Sequence, residues 1–411
     1  MSDHFRLNTC TLVESKLFLY NLLPSNLKVL ATMHNTFNIY QKIVNARALN
    51  NRERTMAVFT RRKADRLIWQ PRLHHWHEVN KARGSLPKKY KDWDILQIYD
   101  DLGASPRSYH YFNNVIRTVE GDGVRIELKE DIEYVYTKYM TAEGDITQIE
   151  KKNLWGTNKM RIKYFLQTTD DFRILEHILR RQHFEFDEEE YDRNDRLLGD
   201  RCEPILNLPH GSIQRLFIEY MGLERGTIAL WKTPEKVEEL LRTFDENDDK
   251  RFELIKRTPF KIINFGDNID DSLVSPTLLK KYMLPYYQRR TRELHQMGKY
   301  STSHWDGKIK HVLPFAKETG LDGLECVPPI PQGSVTLEEL RDGLEGMMLS
   351  DGIPATHFMP YTGEEELKKF MQKLLDLFAP NIIVGISDMM PPDGSVERLR
   401  MVGRIVEEYK I

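Results

Sequence analysis

From about residue 200 to the carboxyl end, short β-prone runs alternate with helical segments through connections of a few residues, and this rhythm limits the fold more than any other feature. Strand-like runs fall at residues 202–208, 260–265, 300–306, 323–327, 354–359 and 381–386, with helical segments between them. A strand that returns to its own sheet through a helix crosses right-handed and runs parallel to its predecessor. Repeated over the second half of the chain, the pattern predicts a parallel α/β sheet. With 411 residues, a closed (β/α)8 TIM barrel carrying insertions suits the repeat better than an open doubly wound sheet.

The first half is less regular. Residues 37–59 have helical spacing (Ile39, Ile43, Ala46, then Met56, Val58 and Phe59) and predict an N-terminal helical cap. Residues 67–76 begin as a first strand and end in polar and aromatic residues that read as a loop over the site. His74, His75 and His77 sit close together there, but adjacent histidines on an extended segment point to opposite faces, so a metal cluster is not the expectation. From about 111 to 151, period-two alternation around Val124–Leu128 and Tyr134–Tyr139 predicts a β-hairpin insertion. The acidic run 187–195 reads as a solvated helix face.

Composition excludes several classes. Lys+Arg (60) and Asp+Glu (62) nearly cancel, so no global field favours nucleic acid or an anionic membrane. Cys10, Cys202 and Cys326 are odd in number and form no C-x-x-C pair, which argues against a disulfide framework and for a reduced, cytoplasmic setting. No run approaches the roughly 18 apolar residues of a membrane span. The apolar patch at 17–23 lacks the features of a signal peptide, and residues 1–36 read as an extension ahead of a barrel domain over 37–411, with Met33 as an alternative start. No G-x-G-x-x-G or Walker motif occurs.

In a parallel barrel the chemistry gathers at the carboxyl ends of the strands. His304 and Asp306 close one strand, Glu325 and Cys326 the next, Asp388 the last, and Asp267 and Asn268 an earlier one. Asp306 reads equally as a ligand or as the Asp of an Asp-Gly turn. Strand alternation turns Glu325 and Cys326 to opposite faces, so Glu325 is expected at the mouth and Cys326 in the packing. His357 lies within a predicted strand and reads as an interior histidine.

Several stretches, in order, resemble the uroporphyrinogen decarboxylase superfamily. They are Asn51-Arg52-Glu53-Arg54 with Asp65-Arg66, Tyr220-Met221-Gly222-Leu223, Asn264-Phe265-Gly266-Asp267-Asn268, His304-Trp305-Asp306-Gly307, Gly320-Leu321-Asp322-Gly323-Leu324-Glu325, and Gly385-Ile386-Ser387-Asp388 with Pro391-Pro392. The resemblance implies a (β/α)8 barrel with one of two activities. One branch decarboxylates uroporphyrinogen without a cofactor; the other moves methyl groups to or from a corrinoid protein with the help of zinc. The decarboxylases carry an early Arg-Gln-Ala-Gly-Arg signature, where this chain has Gln70-Pro71-Arg72-Leu73-His74-His75-Trp76 and one arginine instead of two. Their late Gly-His-Gly histidine has no counterpart in Gly385-Ile386-Ser387-Asp388.

The methyltransferase branch shows His-x-Cys-Gly and a later Cys as zinc ligands; here Asp306 replaces the first Cys, and Ser387 and Asp388 occupy the place of the second. A set of His and carboxylates still suits zinc. The resemblance therefore implies a zinc-dependent methyltransferase, with His304, Asp306 and Glu325 catalytic, and His304, Glu325, Asp306 and Asp388 as metal ligands. Arg72, His74, Trp76, Asp267 and Asn268 are the expected substrate contacts. The expected partners are a small methyl donor such as an aromatic methyl ether and a separate corrinoid protein supplying cobalamin, since no D-x-H-x-x-G stretch occurs here. A homodimer is the candidate assembly, and nucleic acid and membrane are not expected. A uroporphyrinogen decarboxylase, or a barrel that binds ligand without turnover, is the alternative.

Overall fold

The computed structural model describes residues 48–154 and 158–411. The 1–36 extension and most of the 37–59 cap segment lie outside the described residues. Asn50–Ile411 form one unit, which holds every strand and helix named here.

In chain order the strands are β1 (Ile68–Trp69), β2 (Ile116–Val119), β3 (Arg125–Glu130), β4 (Tyr134–Thr141), β5 (Gly144–Lys152), β6 (Lys159–Lys163), β7 (His183–Phe186), β8 (Ile205–Leu208), β9 (Ile262–Ile269), β10 (Tyr300–Trp305), β11 (Gly323–Glu325), β12 (Met348–Pro354) and β13 (Ile382–Ser387). Seven of them form one parallel sheet in the order β1-β13-β12-β11-β10-β9-β8. The strands are rich in Ile, Leu and Val and buried along their length, as expected when helices cover the outside and side chains fill the inside.

Between the edges β1 and β8 runs an irregular segment, residues 104–109. The Ser105 amide donates to the Trp69 carbonyl (2.8 Å), the Ser105 hydroxyl to the Arg201 carbonyl (2.7 Å), and the Ile205 amide to the Ser108 hydroxyl (2.9 Å). Pro106 has no amide proton to give to a ladder, so side-chain hydroxyls substitute for regular pairing. This segment is the eighth stave of the barrel, and it carries Arg107 and Tyr109.

Inside the barrel a polar layer fixes the parity of the strands. Thr302 donates to Asn264 (2.8 Å), which donates to Asn207 (2.8 Å), so residues 264 and 302 face inward. Period-two alternation then turns His304 inward at the mouth, while Ser303 faces out to Tyr287 (2.9 Å).

The insertion is larger than a hairpin. β3, β4, β5 and β6 form a four-stranded antiparallel sheet, and β2 pairs with β7 in a second one. Three further expectations are corrected. Residues 74–83 form the helix His74–Arg83, not a loop, since Trp76, His77, Val79 and Asn80 make a buried face at helical spacing and Gly84 closes it with positive φ. The segment 310–319, one of the helical segments expected between the strands, holds only two short 3-10 turns, Leu313–Phe315 and Lys317–Thr319, because Pro314 interrupts the backbone ladder. The strand expected at 354–359 is β12, ending at Pro354; Ser350, Asp351 and Gly352 give it a loop-like composition although every residue is buried. No helix among the described residues is long and apolar enough to cross a membrane.

Candidate functional site

His304, Asp306, Cys326 and Asp388 each offer a ligand atom at the carboxyl edge of the barrel, and these atoms lie within 4.8 Å of one another. They come from the ends of β10, β11 and β13. Asp306 is both things the sequence allowed: its carboxylate accepts from the Gly307 amide (2.6 Å), as in an Asp-Gly turn, and still belongs to the group. Gly307 has φ +64°, and a Cβ there would strike the Asp270 carboxylate.

Cys326 joins this group because strand alternation breaks at that residue. Its φ is +75°, and two nearby residues, Asp351 in the middle of β12 (φ +84°) and Asp388 just beyond β13 (φ +67°), share the left-handed region. Non-glycine residues there carry strain that the surrounding structure must hold, and they concentrate at functional sites. With the backbone turned, Cys326 offers its sulfur to the candidate group while Glu325 lies beside His304. Cys326, expected as a packing residue, is fully buried and also lies in the candidate group.

An imidazole nitrogen, a thiol sulfur and two carboxylate oxygens are a donor set that suits zinc. A tetrahedral shell at zinc–ligand lengths places donors about 3.3–3.8 Å apart, so the group would have to contract by roughly 1 Å. Burial, then the negative charge of Asp306, raises the Cys326 thiol well above its ordinary range, and Asp388 adds to this against the opposing charge of Arg72. Without a cation the thiol stays protonated; a divalent ion would reverse that preference.

Glu325 is not in this group. One of its oxygens, Oε1, is the meeting point of Arg72 Nη1 (3.4 Å), Arg107 Nη1 (3.3 Å), His304 Nδ1 (3.4 Å) and the Tyr109 hydroxyl. Glu325, Arg107 and Tyr109 are almost fully buried. Burial alone would raise the Glu325 carboxyl, but Arg107, His304 and Arg72 together hold it well below the usual carboxylate range. Asp351, also bonded to Arg107, goes the other way: burial and the nearby Glu325 charge push it up to about 6 despite Arg107. Two buried carboxylates around one guanidinium divide in this way, and Glu325 is the one that keeps its charge because it has more donors. With Nδ1 of His304 directed at Glu325, Nε2 is the nitrogen left for an ion. A carboxylate behind a histidine fixes its tautomer and ring orientation. Glu325, expected as a ligand, lies outside the candidate group and contacts His304 instead.

The expected substrate contacts separate. Arg72 reaches the mouth, 3.7 Å from Asp388 and half-buried. His74 stands beside it. Trp76 does not; it is buried in the core with its ring 6.4 Å from that of Tyr90. Asp267 is buried and faces outward, accepting from the Gly211 amide (2.7 Å) and the Tyr287 hydroxyl (2.6 Å), while half-buried Asn268 follows it with its backbone amide bonded to Gln214 (2.7 Å). His357 is buried in a 3-10 turn beyond β12, its carbonyl accepting from Arg398 (2.7 Å). Arg107, Tyr109, His110 and Asp351 also reach the site, and sequence patterning does not select them. The one sequence signal for the first three is a Ser-Pro-Arg-Ser stretch too polar for a strand.

Burial lowers His74 to about 3, with His110, His77 and Arg72 adding to the effect. A histidine whose folded value lies below its unfolded one contributes stability that is present above the unfolded value and is lost as pH falls toward the folded one. His74→Gln is therefore expected to flatten the decline in stability between about pH 6.5 and pH 3, read by urea denaturation across that range.

No family model matches this sequence, and no curated protein matches it. Among solved structures, the chain is similar to a methyltransferase from Methanosarcina mazei, with a TM-score of 0.52 at 10% identity, over 88% of this chain and 99% of that one. It is also similar to a B12-independent methionine synthase from Shewanella sp. W3-18-1 in complex with selenomethionine, with a TM-score of 0.41 at 11% identity, over 76% of this chain and 85% of that one. At 10% identity the likeness to the Methanosarcina protein is one of fold: a shared barrel, spanning nearly the whole of both chains.

Proposed function

We propose that the protein is a zinc-dependent methyltransferase of the uroporphyrinogen decarboxylase superfamily, moving a methyl group from a small donor to a corrinoid carried by a separate protein. The observation that carries this reading is the convergence of His304, Asp306, Cys326 and Asp388 at the barrel's carboxyl edge. The methyltransferase among the solved structures of this fold supports it. In the reaction the bond between the donor's heteroatom and its methyl carbon breaks, the heteroatom keeps the electron pair, and the methyl passes to the reduced cobalt of the partner's corrinoid. Zinc in this set would supply Lewis acidity to the leaving heteroatom. Glu325 holds the His304 ring with Nε2 toward the mouth, Arg107 and Tyr109 fix Glu325, and Arg72 presents a guanidinium to the bound donor.

A second reading keeps one observation in its favour. Arg107 brings to the site the second guanidinium that the early Gln70–Trp76 stretch lacks, as a decarboxylase of a polycarboxylate would need. It is already paired with Asp351 and Glu325, however, which leaves Arg72 as the arginine facing the mouth.

The test adds the zinc-loaded protein and a methoxylated aromatic donor to a reduced corrinoid protein and follows the cobalamin absorption spectrum. Conversion to the methylated form that stops on chelation and in His304→Ala is expected. An unchanged spectrum, together with release of carbon dioxide from uroporphyrinogen, would transfer the assignment to the decarboxylase.

A further inference from the structure

Beside the candidate ligand group lies a stack of rings that the proposed chemistry does not use. The His74 and His110 rings are 4.3 Å apart at 33°, His74 also meets Tyr111 edge-on (5.7 Å, 73°), and His110 packs 5.8 Å from Tyr109. His110 is the exposed member, so its ring forms the free face of the stack. Burial lowers His74 to about 3, while packing of the inner side of His110 and the charges of Arg72 and Arg107 lower that ring to about 4, so both imidazoles are uncharged at neutral pH and offer flat π surfaces. Arg72 adjoins this surface, with its guanidinium 5.9 Å from the Tyr109 ring centroid. Only its Nη1 is engaged, with Glu325 and Asp388; Nε and Nη2 make no hydrogen bond among the described residues. Glu325 cannot neutralise Arg72 by itself, since the same oxygen also serves Arg107, Tyr109 and His304.

From these positions we infer that Arg72 and the His110–His74 stack form a subsite for a planar aromatic anion, the carboxylate on Arg72 and the ring on His110. The inference rests on the proposed methyl transfer and deepens it, because it names the class of donor that would lie across the mouth. Arg72 is within 3.7 Å of Asp388, so a ring held there has a substituent within reach of the His304, Asp306, Cys326 and Asp388 group. A guanidinium and a carboxylate make charge-assisted, paired hydrogen bonds. Ring stacking adds a preference for flat over puckered molecules of the same size. A neutral ring lacks the first contribution and a saturated acid lacks the second.

Isothermal titration of the full chain, stripped of metal and without a corrinoid protein, tests this with three probes: benzoate, cyclohexanecarboxylate and anisole. Benzoate is expected to bind about three- to tenfold more tightly than cyclohexanecarboxylate, the span that ring stacking gives. Anisole is expected to bind at least about tenfold more weakly than benzoate, having lost the charged pair. His110→Ala, at an exposed position, should keep binding both acids and lose the difference between them. Arg72→Gln should weaken both acids alike. Equal affinity for the two acids, a preference for benzoate that survives in His110→Ala, or no binding of benzoate would each overturn the inference. Since zinc and corrinoid are absent from this measurement, its outcome is independent of methyl transfer. Selective benzoate binding with no cobalamin methylation would sink the proposed reaction and leave the subsite standing.

Discussion

Arg107→Met is expected to lower stability by about 3–5 kcal/mol at pH 7, the penalty for leaving buried charge without its partner. Arg107, Glu325 and Asp351 are each at most 2% exposed. The guanidinium is the only cation bonded to Asp351 among the described residues. Its loss leaves Glu325 with Arg72 and His304, but Asp351 with nothing. The structure around Asp351 cannot relax easily: its backbone sits at φ +84°, and a Cβ at Gly385 would already collide with its carboxylate. Asp351 is raised to about 6 even with Arg107 present. A group whose folded value is raised contributes stability that is present below its unfolded value and is lost as pH rises through the folded one. The variant should therefore come nearest to wild type below about pH 4 and fall furthest behind above about pH 6. Adding Asp351→Leu to Arg107→Met should recover part of the loss, because both members of the pair are then gone. Urea denaturation at pH 4 and pH 7 reads all of this. A loss under about 1 kcal/mol at pH 7 would mean that Arg107 is not the counter-charge of this buried cluster.

The part of the structure legible in the sequence is the part that periodicity encodes. The parallel barrel, the strand that carries His304 and the β-rich excursion follow from alternation. Three features of the site have no such signature. The eighth stave is irregular, so Arg107 and Tyr109 lie in a stretch that reads as a connection. β12 carries Ser350, Asp351 and Gly352 at its centre, where inward polar residues meet Arg107 instead of apolar packing. Strand alternation would put Cys326 in the packing, and its positive φ breaks that rule. Backbone conformation at a single residue is a tertiary property, fixed by the mouth that strains it, and no local pattern announces it. The histidines at 74, 75 and 77 show the converse. Read on an extended segment they oppose one another, whereas on the helix His74–Arg83 residues 74 and 77 share a face.

The second large effect concerns the ion. His304→Ala removes the only imidazole of the candidate group, and Cys326→Ala removes its only sulfur. Each variant keeps the two carboxylates and one of the two softer donors, three candidate ligands instead of four, and is expected to hold zinc much more weakly. Glu325→Gln acts differently, because Glu325 touches His304 instead of belonging to the group; it is expected to weaken zinc binding about 10–100-fold while leaving a site that fills at high zinc. The decisive quantity is the metal content of purified wild-type protein beside His304→Ala and Cys326→Ala, after equilibration with limiting zinc. Convergence of these side chains on one ion predicts close to one zinc per wild-type chain and a small fraction of that in both variants. Zinc near zero in all three proteins, or equal zinc in all three, would contradict it.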